Sequence, residues 1–215
     1  MTPSGMVHIV DDDPAIRCAL SASLEARGYS VKDYESSEVF LNSYQDNQIG
    51  CLVLDIRMPG INGLELQKIL NEKNYTIPII FVTGHGDVPM SVQALKNGAL
   101  DFLEKPYRQE AMQELIKQAL AQSKSIRQKI VEENICADRY SSLTPREKQV
   151  MAKLTANHFN TSNKEIAKAL DISPRTVEDH RAKIMLKMQV KSLHELISIT
   201  EHCKACNFVD QDISE

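Results

Sequence analysis

The chain has 215 residues, is 42% hydrophobic and 25% charged, and carries a formal net charge of -4. This composition supports a buried core and excludes a disordered or collagen-like chain, and the length admits one large domain or two small ones. No apolar run is long enough to span a bilayer and the N-terminus lacks a basic region followed by an apolar core, so a cytoplasmic protein without a membrane partner is expected.

The charge is uneven. Residues 1–122 hold 10 Lys+Arg against 16 Asp+Glu, residues 123–205 hold 15 against 10, and the short tail adds three acids. An acidic half followed by a basic half predicts two domains, the second facing nucleic acid. The five cysteines are scattered and odd in number, as for reduced thiols. Cys203 and Cys206 form a Cys-x-x-Cys pair, but no second pair completes a zinc site.

In chain order, Val7–Val10 predicts a first strand, followed at once by Asp11-Asp12-Asp13-Pro14. Ile16, Ala19, Leu20, Ser23 and Leu24 recur at helical spacing up to Gly28. Strands are then predicted at Tyr29–Asp33, Gly50–Leu54, Ile77–Thr83 and Ala99–Leu103. Helices fall around Val39–Leu41, Leu66–Leu70 and Val88–Lys96, with a last one from Tyr107 through Leu120. Five strand–helix alternations in about 120 residues predict a doubly wound five-stranded parallel sheet, and strand order 2-1-3-4-5 places the switch point between strands one and three.

That order brings Asp11, Asp12 and Asp55 to one crevice, where three carboxylates repel one another unless a cation sits among them. Oxygen ligands with room for water suit Mg²⁺. Thr83 ends strand four and Lys105-Pro106 follows strand five, so a hydroxyl and an ammonium reach the same rim. A cis bond before Pro106 is compatible with that position. Each residue alone has a plain structural role, such as a helix cap, a strand end or a solvated lysine; five of them on one rim point to a site.

Val10-Asp11-Asp12-Asp13, Asp55-Ile56-Arg57-Met58-Pro59-Gly60, Thr83-Gly84-His85-Gly86-Asp87-Val88-Pro89-Met90 and Asp101-Phe102-Leu103-Glu104-Lys105-Pro106 resemble, in order and spacing, the signature blocks of a two-component receiver domain of the FixJ type. The resemblance implies a flavodoxin-like fold and a role for each residue. Asp55 is the phosphoacceptor for a phosphohistidine on a sensor histidine kinase. Asp11, Asp12, Asp55 and the carbonyl of Arg57 hold Mg²⁺, with Mn²⁺ as a substitute. Lys105 and Thr83 take phosphoryl oxygens, and Phe102 follows Thr83 inward as a rotameric switch.

Residues 123–140 turn polar, with a thin apolar stripe at Ile126, Ile130 and Val131, which favours a helical rod continuing the last receiver helix over a flexible tether. Thr144-Pro145-Arg146-Glu147 is a strong helix start with a capping box. Asn163–Leu170 predicts a second helix, Asp171-Ile172-Ser173-Pro174 a tight turn, and a third helix runs to about Met188; two helices joined by a tight turn fit a helix-turn-helix. On the third helix Val177, Ile184 and Met188 share the core side, while Asp179, Ala182, Lys183 and Leu186 face out. Arg175, Thr176, Arg181, Lys183 and Lys187 can serve phosphates. A helical protein-binding domain with a solvated basic face is the plain alternative.

Leu143-Thr144-Pro145-Arg146-Glu147, Asn163-Lys164-Glu165-Ile166-Ala167 and Ile172–Arg181 resemble the LuxR-type DNA-binding domain of the NarL/FixJ class. The resemblance implies base readers at Glu178, Asp179 and Ala182, further DNA-binding positions at Asn163 and Lys164, and a dimerising fourth helix from Ser192. The loop 157–162 looks about two residues longer than is common in that family. The expected domains are therefore a receiver (1–122), a linker (123–140), an all-α helix-turn-helix domain (141–205) and an acidic tail (206–215).

The expected function is phosphorylation-dependent regulation of transcription, with receiver homodimerisation, double-stranded promoter DNA as partner and RNA polymerase as a further one. Catalysis is expected only of the protein's own phosphotransfer and slow dephosphorylation. Phosphatases with an aspartyl nucleophile commonly place a second acid two residues on; that position is Arg57 here, which disfavours such an enzyme. A phospho-switched adaptor without DNA contact is the other rival.

Overall fold

The computed structural model describes residues 5–84, 88–156 and 162–202. The predicted His85-Gly86-Asp87 segment, most of the loop before Ser162, the Cys-x-x-Cys pair and the acidic tail lie outside the described residues. The chain divides into two compact units, Met1–Gln128 and Lys129–Glu215.

The first unit holds β1 (Met6–Val10), α1 (Pro14–Glu25), β2 (Ser30–Tyr34), α2 (Ser37–Ser43), β3 (Gly50–Asp55), α3 (Gly63–Glu72), β4 (Ile79–Thr83), α4 (Val88–Lys96) and β5 (Asp101–Glu104), and it takes in the beginning of α5 (Gln109–Ser141). The sheet is parallel throughout, in the order β2-β1-β3-β4-β5. Every residue of β3 is buried, which explains its continuous apolar run: parallel strands are covered on both faces. On one face Leu52, Leu54, Ile79 and Phe81 meet Phe40, Leu66, Leu70 and Ala94 of α2–α4. On the other, Val7, Ile9, Val53, Ile80 and Val82 meet Leu24 of α1 and Met112, Ile116, Ala119 and Leu120 of α5.

Four strand starts differ from the predicted ones, each for a backbone reason. β1 begins one residue earlier, at Met6, whose amide donates to the Ile49 carbonyl. The amide of Tyr29 closes the end of α1 on the carbonyl of Leu24, so β2 begins one residue later. Pro78 has no amide to give, so β4 begins at Ile79, although the Pro78 carbonyl still accepts from Leu52. Gly98, at φ 93°, ends the turn after α4, and the Ala99 amide returns to Ala94; β5 therefore starts at Asp101. The polar stretch 123–140 is helical, as part of α5. It is not wholly exposed: Ser123 is buried and accepts the Gly50 amide at 3.1 Å, and Arg127 is ion-paired with Asp46.

The second unit is helical: α6 (Pro145–Ala156), α7 (Asn163–Leu170), α8 (Pro174–Met188) and α9 (Leu193–His202). Val150, Met151, Leu154, Ile166, Val177, Ile184, Met188 and Leu196 form its core, together with Cys136 from α5. Capping sets the helix starts: Ser162 and Glu165 close a capping box on α7, and Ser173 caps α8 ahead of Pro174 at its first turn. Asp171 and Gln189 end α7 and α8 in the left-handed conformation.

Candidate functional site

Register builds the site at the carboxyl edge of the sheet. Val10 pairs with Leu54, so the next residue on each strand, Asp11 and Asp55, ends beside the other. Thr83 pairs with Glu104, and the Lys105 amide donates to the Thr83 carbonyl at 2.8 Å. The Lys105-Pro106 bond is cis. From there Lys105 Nζ donates to Asp55 Oδ1 at 2.7 Å and to Asp11 Oδ2 at 2.9 Å.

The two acids are buried and held by further bonds. Asp55 Oδ2 accepts the amide of Arg57 at 2.8 Å, and Asp11 Oδ1 accepts the amide of Asp13 at 2.9 Å. Burial pushes the Asp55 carboxyl above its ordinary range and the Asp11 charge adds to this; Lys105 opposes both, by hydrogen bond and by charge. For Lys105, burial works against the ammonium, but its bonds to Asp55 and Asp11 prevail and its pKa rises. Tyr107, just past the cis bond, is pushed up mainly by burial, and Lys105 partly offsets this.

Of the three carboxylates expected in one crevice, the structure brings two together. Asp11 and Asp55 meet, but Asp12 is exposed. Among the described residues no group of three His, Cys, Asp or Glu side chains closes on one point. The physical reason is that Lys105 already neutralises the two buried acids, which leaves Asp12 better solvated outside. Asp13, not Asp11 or Asp12, caps α1, accepting the amides of Ala15 and Ile16. The donor set fits a hard divalent cation: carboxylates at Asp11 and Asp55, a third at Asp12 on the rim and the Arg57 carbonyl, all oxygen.

Thr83 is buried and its hydroxyl donates to the Gly84 carbonyl at 3.1 Å. Phe102 is half-buried against the core beneath α3 and α4. Sequence reasoning missed Gly63: a Cβ there would stand 2.3 Å from the Asp55 carbonyl oxygen, so the first turn of α3 approaches the end of β3 closely only with glycine. Asn62-Gly63 reads as an ordinary turn in sequence, and nothing local signals that contact.

In the second unit Lys164, Arg175, Glu178, Asp179, Ala182 and Lys183 are exposed, and Val177, Ile184 and Met188 lie in the core as their spacing predicts. Asn163, Thr176 and Arg181 are half-buried: Arg181 donates to Asn163 Oδ1 at 2.6 Å, and Thr176 shares a hydrogen bond with Ser173. Lys187, expected to serve a phosphate, has partners within the unit. Its ammonium turns inward to Glu147 Oε2 at 2.7 Å and to the Ser142 carbonyl at 3.1 Å. Burial opposes the charge on Glu147, but the bonds from Lys187 and Thr144 bring its pKa down to about 2.

Residues 7–117 match the response regulator receiver domain, and residues 141–200 match the bacterial regulatory proteins of the luxR family. The chain is 42% identical over 200 residues to the transcriptional regulatory protein FixJ of Bradyrhizobium diazoefficiens, covering 93% of this chain and 96% of that one. It is 41% identical over 201 residues to the response regulator protein TodT of Pseudomonas putida, covering 94% and 87%. The solved structure of the response regulator StyR is similar with a TM-score of 0.82 at 40% identity, covering 92% of this chain and 98% of that one.

A parallel sheet ending in an acid–lysine site, followed in the same chain by a helix-turn-helix domain, defines a two-component response regulator. The chain belongs to the FixJ/NarL class of these proteins, which regulate transcription in a phosphorylation-dependent way through a LuxR-type DNA-binding domain. Among the described residues no helix is long and apolar enough to cross a membrane.

Proposed function

We propose that a sensor histidine kinase passes its phosphoryl group to Asp55. The observation that carries this reading is Lys105 bridging Asp55 and Asp11 at 2.7 and 2.9 Å. An Asp55 oxygen bonds to phosphorus as the phosphorus–nitrogen bond to the kinase histidine breaks. Such transfer depends on positioning and charge neutralisation, which Lys105 and the Arg57 amide are placed to give. Asp11, Asp12, Asp55 and the Arg57 carbonyl would hold Mg²⁺, or Mn²⁺ in its place. When bound, the ion supplies further neutralisation of charge on the phosphoryl oxygens. No second acid stands at position 57, so turnover is confined to the protein's own phosphotransfer and slow dephosphorylation.

Phosphorylation draws Thr83 toward the acyl phosphate, and Phe102 fills the space behind it. The receiver then self-associates, and the paired second domains read two promoter half-sites in the cytoplasm, with RNA polymerase as the onward partner. Glu178, Asp179 and Ala182 face the bases; Lys164, Arg175, Thr176 and Lys183 serve phosphates. Arg181 and Asn163 brace α8 against α7, and Lys187 seats α8 on α6.

The test is a gel shift on promoter fragments from the neighbouring genes, with and without acetyl phosphate and Mg²⁺. Tighter binding after phosphorylation supports the reading. Identical binding by both forms contradicts the switch, and no binding by either supports a phospho-switched adaptor.

A further inference from the structure

The C-terminal turns of α8 carry an exposed side chain that neither the core nor a charge contact explains. Leu186 is 79% exposed, more than any other large apolar side chain among the described residues; Val131 follows at 53%. A single exposed leucine is ordinary on a protein surface. Its position is less so. It stands opposite Val177, Ile184 and Met188, on the outward stripe of Asp179, Ala182 and Lys183. The next residue, Lys187, turns inward to Glu147 and Ser142. The last outward group of the helix is therefore a leucine.

Seven residues separate Asp179 from Leu186, about 10 Å at 1.5 Å per residue, comparable to a major groove about 12 Å wide. A leucine offers nothing to a phosphate oxygen or to a base edge that needs a hydrogen bond. The one apolar feature of the major groove is the C5-methyl group of thymine. Resting on α8 as the groove-reading helix, we propose that Leu186 is a specificity residue that packs on a thymine methyl in each operator half-site. Ala182, one turn earlier, continues the same apolar strip. The acids at 178 and 179 read bases nearer the helix start, where a carboxylate accepts from cytosine.

The experiment uses the full-length protein treated with acetyl phosphate and Mg²⁺. Sites are first selected from random duplex DNA, and each thymine of the selected half-site is then replaced singly by uracil, which removes only the methyl group. At one position uracil should weaken binding roughly fourfold, the value of one buried methyl group. Leu186→Ala, which removes the contact from both half-sites, should lose more than fourfold on the thymine duplex and show no further loss with uracil at that position. The proposal is overturned if no uracil weakens the wild type, or if the penalty persists in Leu186→Ala. Failure of the wild type to select any DNA would instead overturn the reading of α8 itself, and this proposal with it. Leu186 lies outside the core, so the variant keeps the packing of the second unit.

Discussion

Lys105 and Asp55 stand fifty residues apart in sequence and 2.7 Å apart in the structure, their charges joined at the carboxyl edge of the sheet across the end of β4. The lysine holds two buried acids together, so its removal should act on both. In Lys105→Met, burial and the Asp11 charge remain without their counterweight, and the Asp55 carboxyl should titrate at a higher pH than in the wild type. Phosphorylation by acetyl phosphate should slow about 100-fold, as for loss of one preorganised donor. Carbon-detected NMR of the aspartate side chains and labelling rates check both. An unchanged titration would show that the ion pair does not govern this carboxylate.

The two units should fail in acid at different pH. Burial lowers the pKa of His8 from 6.5 to about 4, with Lys32 adding to the effect; the ring is stacked beside Tyr34 and accepts from or donates to its hydroxyl at 2.9 Å. The unfolded chain therefore takes up the proton first. The stability due to neutral His8 is complete above pH 6.5 and is lost as pH falls toward 4, a change on the order of 3 kcal/mol. Glu147 behaves at lower pH: its contribution is complete above 4.5 and drains as pH falls to about 2. Amide hydrogen exchange at pH 7 and pH 5 should show the receiver weakened and the helical unit unchanged. His8→Phe should flatten the receiver's response, and equal weakening of both units would contradict this assignment.

Much of the receiver was legible because its signals are local and stacked. The Cys51–Leu54 run must be buried on both faces, and the five alternations leave few topologies. Once the order is 2-1-3-4-5, Asp11 and Asp55 must adjoin. What pattern could not show was which cation meets them. Lys105 takes the place between the acids and Asp12 stays in water, a competition decided by desolvation across strands. The ion pair of Lys187 was hidden for a similar reason. Helical spacing gives its side of α8, but not that Glu147, whose capping role on α6 was plain, also accepts an ion pair from it. Residues 123–140 carry only a thin apolar stripe to favour a rod over a tether; contacts such as Ser123 with Gly50 support the helix at its start.

Lys187 offers a direct test of seating against DNA contact. Lys187→Met leaves the Glu147 carboxylate buried without its ammonium, which should cost the second unit roughly 2–3 kcal/mol, below the figure for a fully buried pair because the Lys187 side chain is 33% exposed. The salt dependence of DNA binding should keep its slope. By contrast, Lys183→Ala or Arg175→Ala should lower the slope by about one and leave stability within about 0.5 kcal/mol. A reduced slope in Lys187→Met would return this residue to the phosphate contacts.

Gly63→Ala should be damaging out of proportion to one methyl group. The new Cβ would meet the Asp55 carbonyl at 2.3 Å, the Ile56 Cα at 3.0 Å and the Phe81 ring at 3.1 Å, the first two backbone and the third packed core. A loss of about 2–3 kcal/mol is expected, as for overpacking. Urea unfolding of the full chain checks this, together with labelling of Asp55, whose strand must shift to admit the methyl. Wild-type stability would show that α3 can retreat at no cost.

The central claim is that Asp55 receives the phosphoryl group, and labelling tests it most directly. Full-length wild type and Asp55→Asn are incubated with ³²P-acetyl phosphate and Mg²⁺, and hydroxylamine-sensitive label is mapped by peptide. The wild type should take up label, confined to the peptide that carries Asp55, and Asp55→Asn should take up none. Label persisting in Asp55→Asn, or mapping to Asp11 or Asp12 in the wild type, would contradict the account.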